Sequence, residues 1–314
     1  MPHRRHTPQV PDRFAEPLVR VSTPTMVSLQ WIAAAMVAVS LVACRVPASV
    51  LQESVEARKL AADLSVQFAQ ASDAANLAVM ADTDEASVNY AREAEQKSQA
   101  VQKDSQALHL LLDRLAYSNE GRLLSEFDTR FAEYQKLDRS ILDLSVENTN
   151  LKAQRLSFGD AQQAADMFAK ALDGVAAQAP PGEASRIAAL TAEALAAVRQ
   201  IQVLQAPHIA AADDASMTRL EKQMSDSEAA AKQALMTIKG LGRPQAQSQV
   251  AAAAAALDRF LEVNTQIVAL SRRNTNVRSL ALSLGQKRML TASCEDSLRA
   301  MSEALDKREF TATR

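Results

Sequence analysis

The heptapeptide LSVENTN at residues 144–150 recurs as LSRRNTN at residues 270–276. Further along the chain, LSFG at 156–159 recurs as LSLG at 282–285. Both pairs are 126 residues apart (270 − 144 and 282 − 156), and eight of the sixteen positions from Leu144 are identical. Upstream, DEAS at 84–87 resembles DDAS at 213–216 at an offset of 129, which predicts a three-residue length difference. A self-similarity of this extent predicts one structural unit that occurs twice.

The composition around these repeats predicts an all-α protein. Hydrophobic residues make up 47% of the chain and many are Ala, whereas aromatic residues are only 4% and glycines number seven. Ala, Leu, Glu, Gln, Lys and Arg favour helices, and a compact sheet needs more bulky strand formers than this chain has.

Helix-breaking residues divide each copy into about four helices. The breaks fall near 82–84, 118–121, 148–150 and 180–182 in the first copy, and near 213–214, 240–244 and 274–276 in the second. Apolar residues between the breaks recur every three or four positions, as in Leu60, Leu64, Phe68, Ala71, Ala75 and Val79, or Leu124, Phe127, Phe131, Tyr134, Leu137, Ile141 and Leu144. Such stripes predict two tandem up-and-down four-helix bundles, at 46–179 and 181–309, with a short tail at 310–314.

Residues 26–44 predict a membrane anchor, because this segment of nineteen residues carries no charge. At 1.5 Å per residue it spans about 28 Å, close to the hydrocarbon thickness of a bilayer. Four arginines precede it within a proline-rich stretch, which predicts a disordered cytoplasmic tail at 1–25. The anchor is then a single pass through the inner (cytoplasmic) membrane, with the bulk of the chain extracytoplasmic, in the periplasm.

Two alternatives place the bulk of the chain outside the cytoplasm as well. The apolar segment is short enough to be a cleaved signal peptide. Its last four residues, LVAC at 41–44, resemble a lipoprotein signal, in which a lipid is attached to Cys44.

The charged residues and histidines point away from several classes of function. Thirty-five basic and 37 acidic residues are interspersed, so no basic stripe predicts nucleic-acid binding. The four histidines are scattered, and no metal-ligand spacing, glycine-rich phosphate loop or cluster of nucleophile and base occurs. The sequence predicts neither an enzyme nor a cofactor.

Five residues are candidate ligand contacts. Asn148 and Asn274 continue the apolar stripes, so they are either polar contacts for a small ligand inside a bundle or turn caps that set the register. Arg272, Arg273 and Arg278 either bind an anionic ligand or are ordinary exposed helix arginines.

A resemblance to a known family adds to these observations. FAQASDAAN at 68–76, residues 144–159 and the second-copy stretch 267–298 resemble the four-helix-bundle ligand-binding domain of methyl-accepting chemotaxis receptors. The resemblance covers residues 46–309, as two tandem copies. It implies a membrane-anchored sensor for signal transduction in chemotaxis, a homodimer and a small-molecule ligand.

The chain departs from that family in two ways. We find no further stretch of eighteen apolar residues after Cys44, and no kinase-controlling hairpin follows Arg314. We therefore expect a sensing half that acts through a signalling partner protein, or one truncated from a transducer. The alternative is a structural or adaptor protein of the envelope, in one version a lipoprotein, that binds other helical proteins.

Overall fold

The structure is a computed structural model that describes residues 48–241 and 244–312. Within these ranges the chain is helical and contains no strand, which confirms the all-α class. The predicted tail at 1–25, the predicted anchor at 26–44 and Cys44 lie outside the described residues. At the other end, the last helix continues to Ala312, so most of the predicted tail at 310–314 is helical.

Ten α-helices follow one another in the described ranges. They are α1 (Ala48–Met80), α2 (Asp84–Arg114), α3 (Ser118–Glu147), α4 (Thr149–Leu156), α5 (Gln162–Ala177), α6 (Ala184–Ala210), α7 (Asp214–Leu241), α8 (Gln247–Arg273), α9 (Thr275–Leu282) and α10 (Arg288–Ala312). Two short π-helices, Ser157–Ala161 and Ser283–Lys287, join α4 to α5 and α9 to α10, and a 3₁₀ turn at Pro244–Ala246 precedes α8.

Matching N-caps fix the alignment of the two copies. The Thr83 side chain accepts a hydrogen bond from the Ala86 N–H (3.1 Å), and Asp213 accepts one from the Ser216 N–H (2.8 Å). In each case the capping side chain accepts a hydrogen bond from the N–H three residues further along the chain, as is usual at a helix N-terminus. The offset in the first two helices is therefore 130 (213 − 83) rather than 129. Because the later helices keep an offset of 126, the copies differ by four residues rather than three.

Burial repeats with the same offsets. Ala57, Leu64, Phe68 and Val101 are buried, and so are the residues 130 further on, Ile187, Ala194, Val198 and Ala231. Tyr134 and Ile141 are buried, and so are Phe260 and Ile267, 126 further on. The two copies thus bury equivalent faces of equivalent helices.

The described helices form two large hydrophobic cores and a small third cluster of Ala74, Ala75 and Ala94. The two large cores differ from the predicted bundles. The first core contains residues of α1, α2, α3 and α10, and the second contains residues of α4, α5, α6, α7 and α8. In the bundles predicted at 46–179 and 181–309, the fourth helix of each copy packs against the other three helices of the same copy. In the structure the fourth helix of each copy lies in the core formed by the other copy.

Three contacts show how the second π-helix and α10 pack against α3 in the first core. The Arg308 guanidinium binds Glu120 (2.6 and 2.9 Å), Arg130 donates to Ser293 (2.8 Å), and Lys287 pairs with Asp138 (2.7 Å). As residue numbers fall along α3, they rise along α10. The two helices are therefore antiparallel, as an up-and-down arrangement requires.

The two cores differ in composition. Four rings pack together in the first core, and their centroids lie 5.1–6.0 Å apart: Phe68, Phe127, Phe131 and Tyr134. The second core is built mainly from Ala, Leu, Ile and Val. The stripe predicted along α3 is shifted at its end, because Asp138 and Ser145 are buried while Leu137 and Leu144 are only partly so.

One helix within the described ranges, α6, is long and apolar enough to cross a membrane. Its residues Ile187, Val198 and Ile201 are buried in the second core. These apolar residues of α6 therefore belong to the second core.

Candidate functional site

The two copies meet at a crossing formed by residues 148–150 and 274–276. Asn148 (φ 50°, ψ 40°) separates α3 from α4, and Asn274 (φ 53°, ψ 38°) separates α8 from α9. Asn is one of the few residues that adopt this left-handed conformation at low cost. The Asn-Thr-Asn triplet was expected to turn the chain back on itself. Instead α3 packs against α10 and α4 packs against α8, so the chain passes from one core into the other.

Reciprocal hydrogen bonds hold the crossing together. The Thr149 N–H donates to the Thr275 hydroxyl (3.1 Å), and the Thr275 N–H donates to the Thr149 hydroxyl (3.1 Å). The amides of Asn150 and Asn276 exchange bonds in the same way, each N–H donating to the other side-chain oxygen at 3.1 Å. These pairs relate the two copies by an approximate twofold axis.

Asn148 and Asn274 are buried in this crossing and bind protein groups there. The Asn148 side-chain oxygen accepts from Asn276 Nδ2 (2.8 Å), and that of Asn274 accepts from Asn150 Nδ2 (2.8 Å). Asn274 Nδ2 also donates to the carbonyl of Ala211 (2.9 Å). These contacts fit the register-setting alternative, because every one of them joins two segments of the fold.

The three candidate arginines do not converge on one site. Arg272 binds both oxygens of Glu221, and Glu221 also contacts the buried His208 (2.8 Å). The hydrogen bonds from Arg272 lower the pKa of Glu221, although burial opposes this shift. Arg273 pairs with Glu147 (2.8 Å), and Arg278 is exposed on α9.

The Arg273–Glu147 pair has a further property. The two residues occupy equivalent positions in the two copies (273 − 147 = 126), so they face each other across the twofold axis. If the copies were identical, two like charges would meet there. In this chain the two positions carry opposite charges and form an ion pair.

A cavity lies beside each π-helix. The larger one, about 420 Å³, lies where α1 ends against α9, the second π-helix and α10; we call it the Lys287 cavity. The smaller one, about 190 Å³, lies at the equivalent place between α6, α4 and the first π-helix; we call it the Phe158 cavity. Single turns of π-helix occur frequently at functional sites. Both cavities therefore have the same origin in the repeat, and the larger is the better candidate.

Lys287 lines the larger cavity and forms a buried ion pair with Asp138, which does not line it. The Nζ of Lys287 is 2.7 Å from Asp138 Oδ1, and the two side chains are only 2% and 7% exposed. The same Nζ lies over the Tyr134 ring, 5.5 Å from its centroid. Burial lowers the pKa of Lys287 and raises the pKa of Asp138, and the attraction between the two charges opposes both shifts.

At the positions equivalent to Asp138 and Lys287, the second core has uncharged residues. Asn264 replaces Asp138 (264 − 138 = 126) and Ala161 replaces Lys287 (287 − 161 = 126). Gln205 fills the space: it donates to Asn264 (2.9 Å) and accepts from Ser157 (2.7 Å). A buried polar group is stable when its bonds are made in this way. The charged version, Asp138 with Lys287, belongs to the first copy's side of the fold, where α3 packs against the second π-helix.

Sequence reasoning missed both members of the ion pair. Asp138 follows Tyr134 by four residues and precedes Ile141 by three, so its place on the buried face of α3 could have been seen. Lys287 gave no such signal, because the second π-helix shifts the helical phase just before it.

Other reactive groups offer little chemistry. Burial raises the pKa of the Cys294 thiol to about 12, which leaves it protonated and unreactive. Within residues 48–241 and 244–312, no group of three His, Cys, Asp or Glu side chains could hold a metal ion. No known family model, curated protein or solved structure matches the chain.

Proposed function

We propose that the chain is a membrane-anchored, extracytoplasmic ligand-binding module of chemoreceptor type, which signals through a partner protein. The observation that carries the proposal is the Lys287 cavity, where α1 of the first copy meets α10 of the second. Its volume falls within the roughly 300–1,000 Å³ typical of small-molecule sites. One residue of its lining, Lys287, carries a buried charge that is paired with Asp138.

The position of this cavity suits a sensor. A ligand there contacts both copies at once, since Asn76 and Met80 belong to α1 and Leu284 and Thr291 belong to the C-terminal segment. A ligand that binds one arrangement of these helices better than another shifts the population toward it. Because α9 joins α8 through the left-handed Asn274, a displacement of α9 acts directly on the second core.

The outer face of α1 supports a homodimer. Large apolar side chains recur along it at helical spacing and are exposed: Leu51, Val55, Val66, Leu77 and Met80. Ala62 and Ala69 lie between them and allow a second helix to approach closely. A second copy of α1 would cover this stripe, as in the helix-to-helix packing of coiled coils. Val66→Asp is then expected to convert a dimer of the full chain to a monomer in light scattering.

The same stripe favours the alternative, an adaptor that binds other helical proteins. The ligand response separates the two functions. An adaptor has no need of a small molecule, and its complex with a partner depends on the α1 face rather than on the Lys287 cavity.

The test is a thermal-melting screen of the full chain in mild detergent against amino acids, organic acids, amines and inorganic anions. A ligand raises the melting temperature by mass action. Ala292→Trp, which fills the Lys287 cavity, should abolish the shift, and the matched Ala206→Trp in the Phe158 cavity should keep it. If no compound shifts the wild-type protein, the sensor proposal is wrong and the adaptor function is favoured.

The anchor is tested separately. Labelling with a radioactive fatty acid, compared between wild type and Cys44→Ser, distinguishes a lipoprotein from an uncleaved anchor. Protease treatment of spheroplasts should degrade the chain if its bulk is extracytoplasmic. Protection from the protease would contradict the proposed orientation.

A further inference from the structure

We infer that the homodimer forms by antiparallel packing of α1 on α1, with a twofold axis that crosses the helix pair near Val66. The inference rests on the proposed function, in which a second copy covers the outer face of α1, and it fixes the direction of the two helices. It is carried by the apolar and charged residues of that face, which lie at matching distances on both sides of Val66.

The outer face of α1 has the spacing of a coiled-coil seam. Positions 52, 55, 59, 62, 66, 69, 73, 76 and 80 follow one another in alternating steps of three and four, and all of them are exposed. This seam runs along most of α1 (Ala48–Met80). A second helix can therefore contact it over nearly the whole length of α1.

Large apolar residues lie at equal distances from Val66. Val55 precedes it by eleven residues and Leu77 follows it by eleven (66 − 55 = 77 − 66). Both side chains are exposed. In an interface with twofold symmetry, residue i contacts residue j of the partner and j contacts i. An antiparallel pair centred near Val66 therefore brings Val55 of each chain level with the partner's Leu77.

The two charged residues of the seam decide the direction. Lys59 precedes Val66 by seven residues and Asp73 follows it by seven. Both are exposed, and neither forms an ion pair or a hydrogen bond with another described residue. In the antiparallel pair, Lys59 of each chain is level with the partner's Asp73, which gives two ion pairs. In a parallel pair, each residue would instead face its own copy, and like charges across an interface are destabilising.

The antiparallel arrangement separates the two N-termini of α1. Ala48 lies eighteen residues before Val66 (66 − 48), so at 1.5 Å per residue the two Ala48 residues are about 54 Å apart. Under the proposed anchor, two such chains can enter one membrane when the α1 pair runs along its surface. A parallel pair would instead bring both N-termini to the same end.

The repeat supplies an internal comparison, because α6 is the equivalent of α1. The equivalents of Val55, Lys59, Val66 and Asp73 are Ser185, Ala189, Ala196 and Val203, 130 residues further on. The matching face of α6 therefore lacks both charges. We expect one such interface per chain, which closes the assembly at two copies.

Charge reversal tests the direction, with the full chain in mild detergent and the dimer dissociation constant measured by analytical ultracentrifugation. Lys59→Asp and Asp73→Lys should each weaken the dimer about tenfold or more, because each replaces two attractions by two repulsions. The double variant restores both attractions and should bind about as tightly as wild type. Asp258→Lys, at an exposed position of α8, is the matched control and should change nothing.

A parallel dimer gives a different pattern. Each of the three seam variants then still has like charges facing each other, so their affinities should equal that of wild type. Unchanged affinities in the two single variants would therefore overturn the inference.

Cross-linking reads the direction independently. In a Cys44→Ser background, a short bismaleimide is applied to Val55→Cys and Leu77→Cys chains, each alone and co-expressed; the buried Cys294 thiol does not react. The two Val55 positions of an antiparallel dimer are about 33 Å apart, so only the co-expressed chains should be linked. Linked dimers of Val55→Cys alone would show a parallel pair, which overturns the inference and leaves the proposed homodimer standing.

Two further outcomes separate the inference from the proposed function. If wild type is a dimer and none of these samples is linked, another face forms the dimer and the inference is wrong. If wild type is a monomer in light scattering, the proposed homodimer fails together with the inference. The ligand screen of the Lys287 cavity does not depend on either result.

Discussion

Asn148 has both a left-handed backbone and a side chain bonded to the other copy, so its replacement separates two effects. For Asn148→Ala we expect the free energy of unfolding to fall by about 2–3 kcal/mol, from the left-handed conformation and the lost bond with Asn276. Asn148→Gly keeps the conformation and loses only the bond, so about 1 kcal/mol is expected. Urea denaturation measures both, and equal losses would contradict the conformational argument.

Glu221 should make the protein sensitive to acid. Its pKa is lowered from 4.5, first by the hydrogen bonds from Arg272 and then by His208, while burial opposes the shift. A carboxyl group with a lowered folded pKa stabilises the fold above its unfolded pKa and loses that contribution as the pH falls through the folded value. Unfolding free energy should therefore decline below about pH 4.5, and Glu221→Gln should make that decline shallower. An unchanged slope in Glu221→Gln would show that Glu221 does not contribute.

At the scale of single residues, the sequence singled out Asn148 and Asn274 as candidates. It left open whether they contact a ligand or set the register. Their position on the apolar stripes and their repetition 126 residues apart were visible. Their bonding across the twofold axis depends on residues distant in sequence, which no local pattern encodes. The same limit applies to Lys287, whose partner Asp138 is 149 residues away (287 − 138).

Two helical glycines form a matched pair for testing helix stability. A Cβ at Gly121 in α3 would meet no atom within 4 Å, whereas one at Gly174 in α5 would lie 2.9 Å from Gln249 Oε1. Gly121→Ala should raise the free energy of unfolding by about 0.5–1 kcal/mol, because Ala loses less backbone entropy. Gly174→Ala should give a smaller gain, since the Gln249 side chain must move. Thermal denaturation of both variants checks the order, and a larger gain at Gly174 would contradict it.

At the scale of helices, starts were easier to predict than changes of direction. The N-caps near 82–84 and 213–214 are where the sequence placed them. The break expected at 118–121 lies at 115–117, where Ala116 adopts a left-handed conformation (φ 52°). A cap depends on three neighbouring residues, whereas the path after the Asn-Thr-Asn triplet depends on which core the next helix can enter. Local chemistry permits a kink there as readily as a hairpin.

The exchange of fourth helices makes a prediction about fragments of the whole molecule. Expressed alone, residues 46–179 carry a fourth helix whose partner core is absent. We expect this fragment to dimerise by mutual exchange rather than to fold as a monomer, with two Glu147 side chains facing each other. Co-expression with residues 181–314 should instead give a one-to-one complex, since Glu147 then meets Arg273. Light scattering after gel filtration distinguishes these states, and a folded monomer of 46–179 would contradict the exchange.

The overall architecture was predictable in class and in repetition, because helix propensity and periodicity are local properties. Which copy supplies which helix was not, because equivalent helices of two similar copies present similar apolar faces. The residues that differ between copies, such as Glu147 and Arg273, settle that choice only once they are brought together.

Each core takes its fourth helix from the opposite copy. The chain therefore leaves the first core after α3, before α10 completes it. Either copy on its own would leave its core without a fourth helix. Neither half could be lost during evolution without exposing the interior of the survivor. The duplication is thereby made permanent by the path of the chain itself.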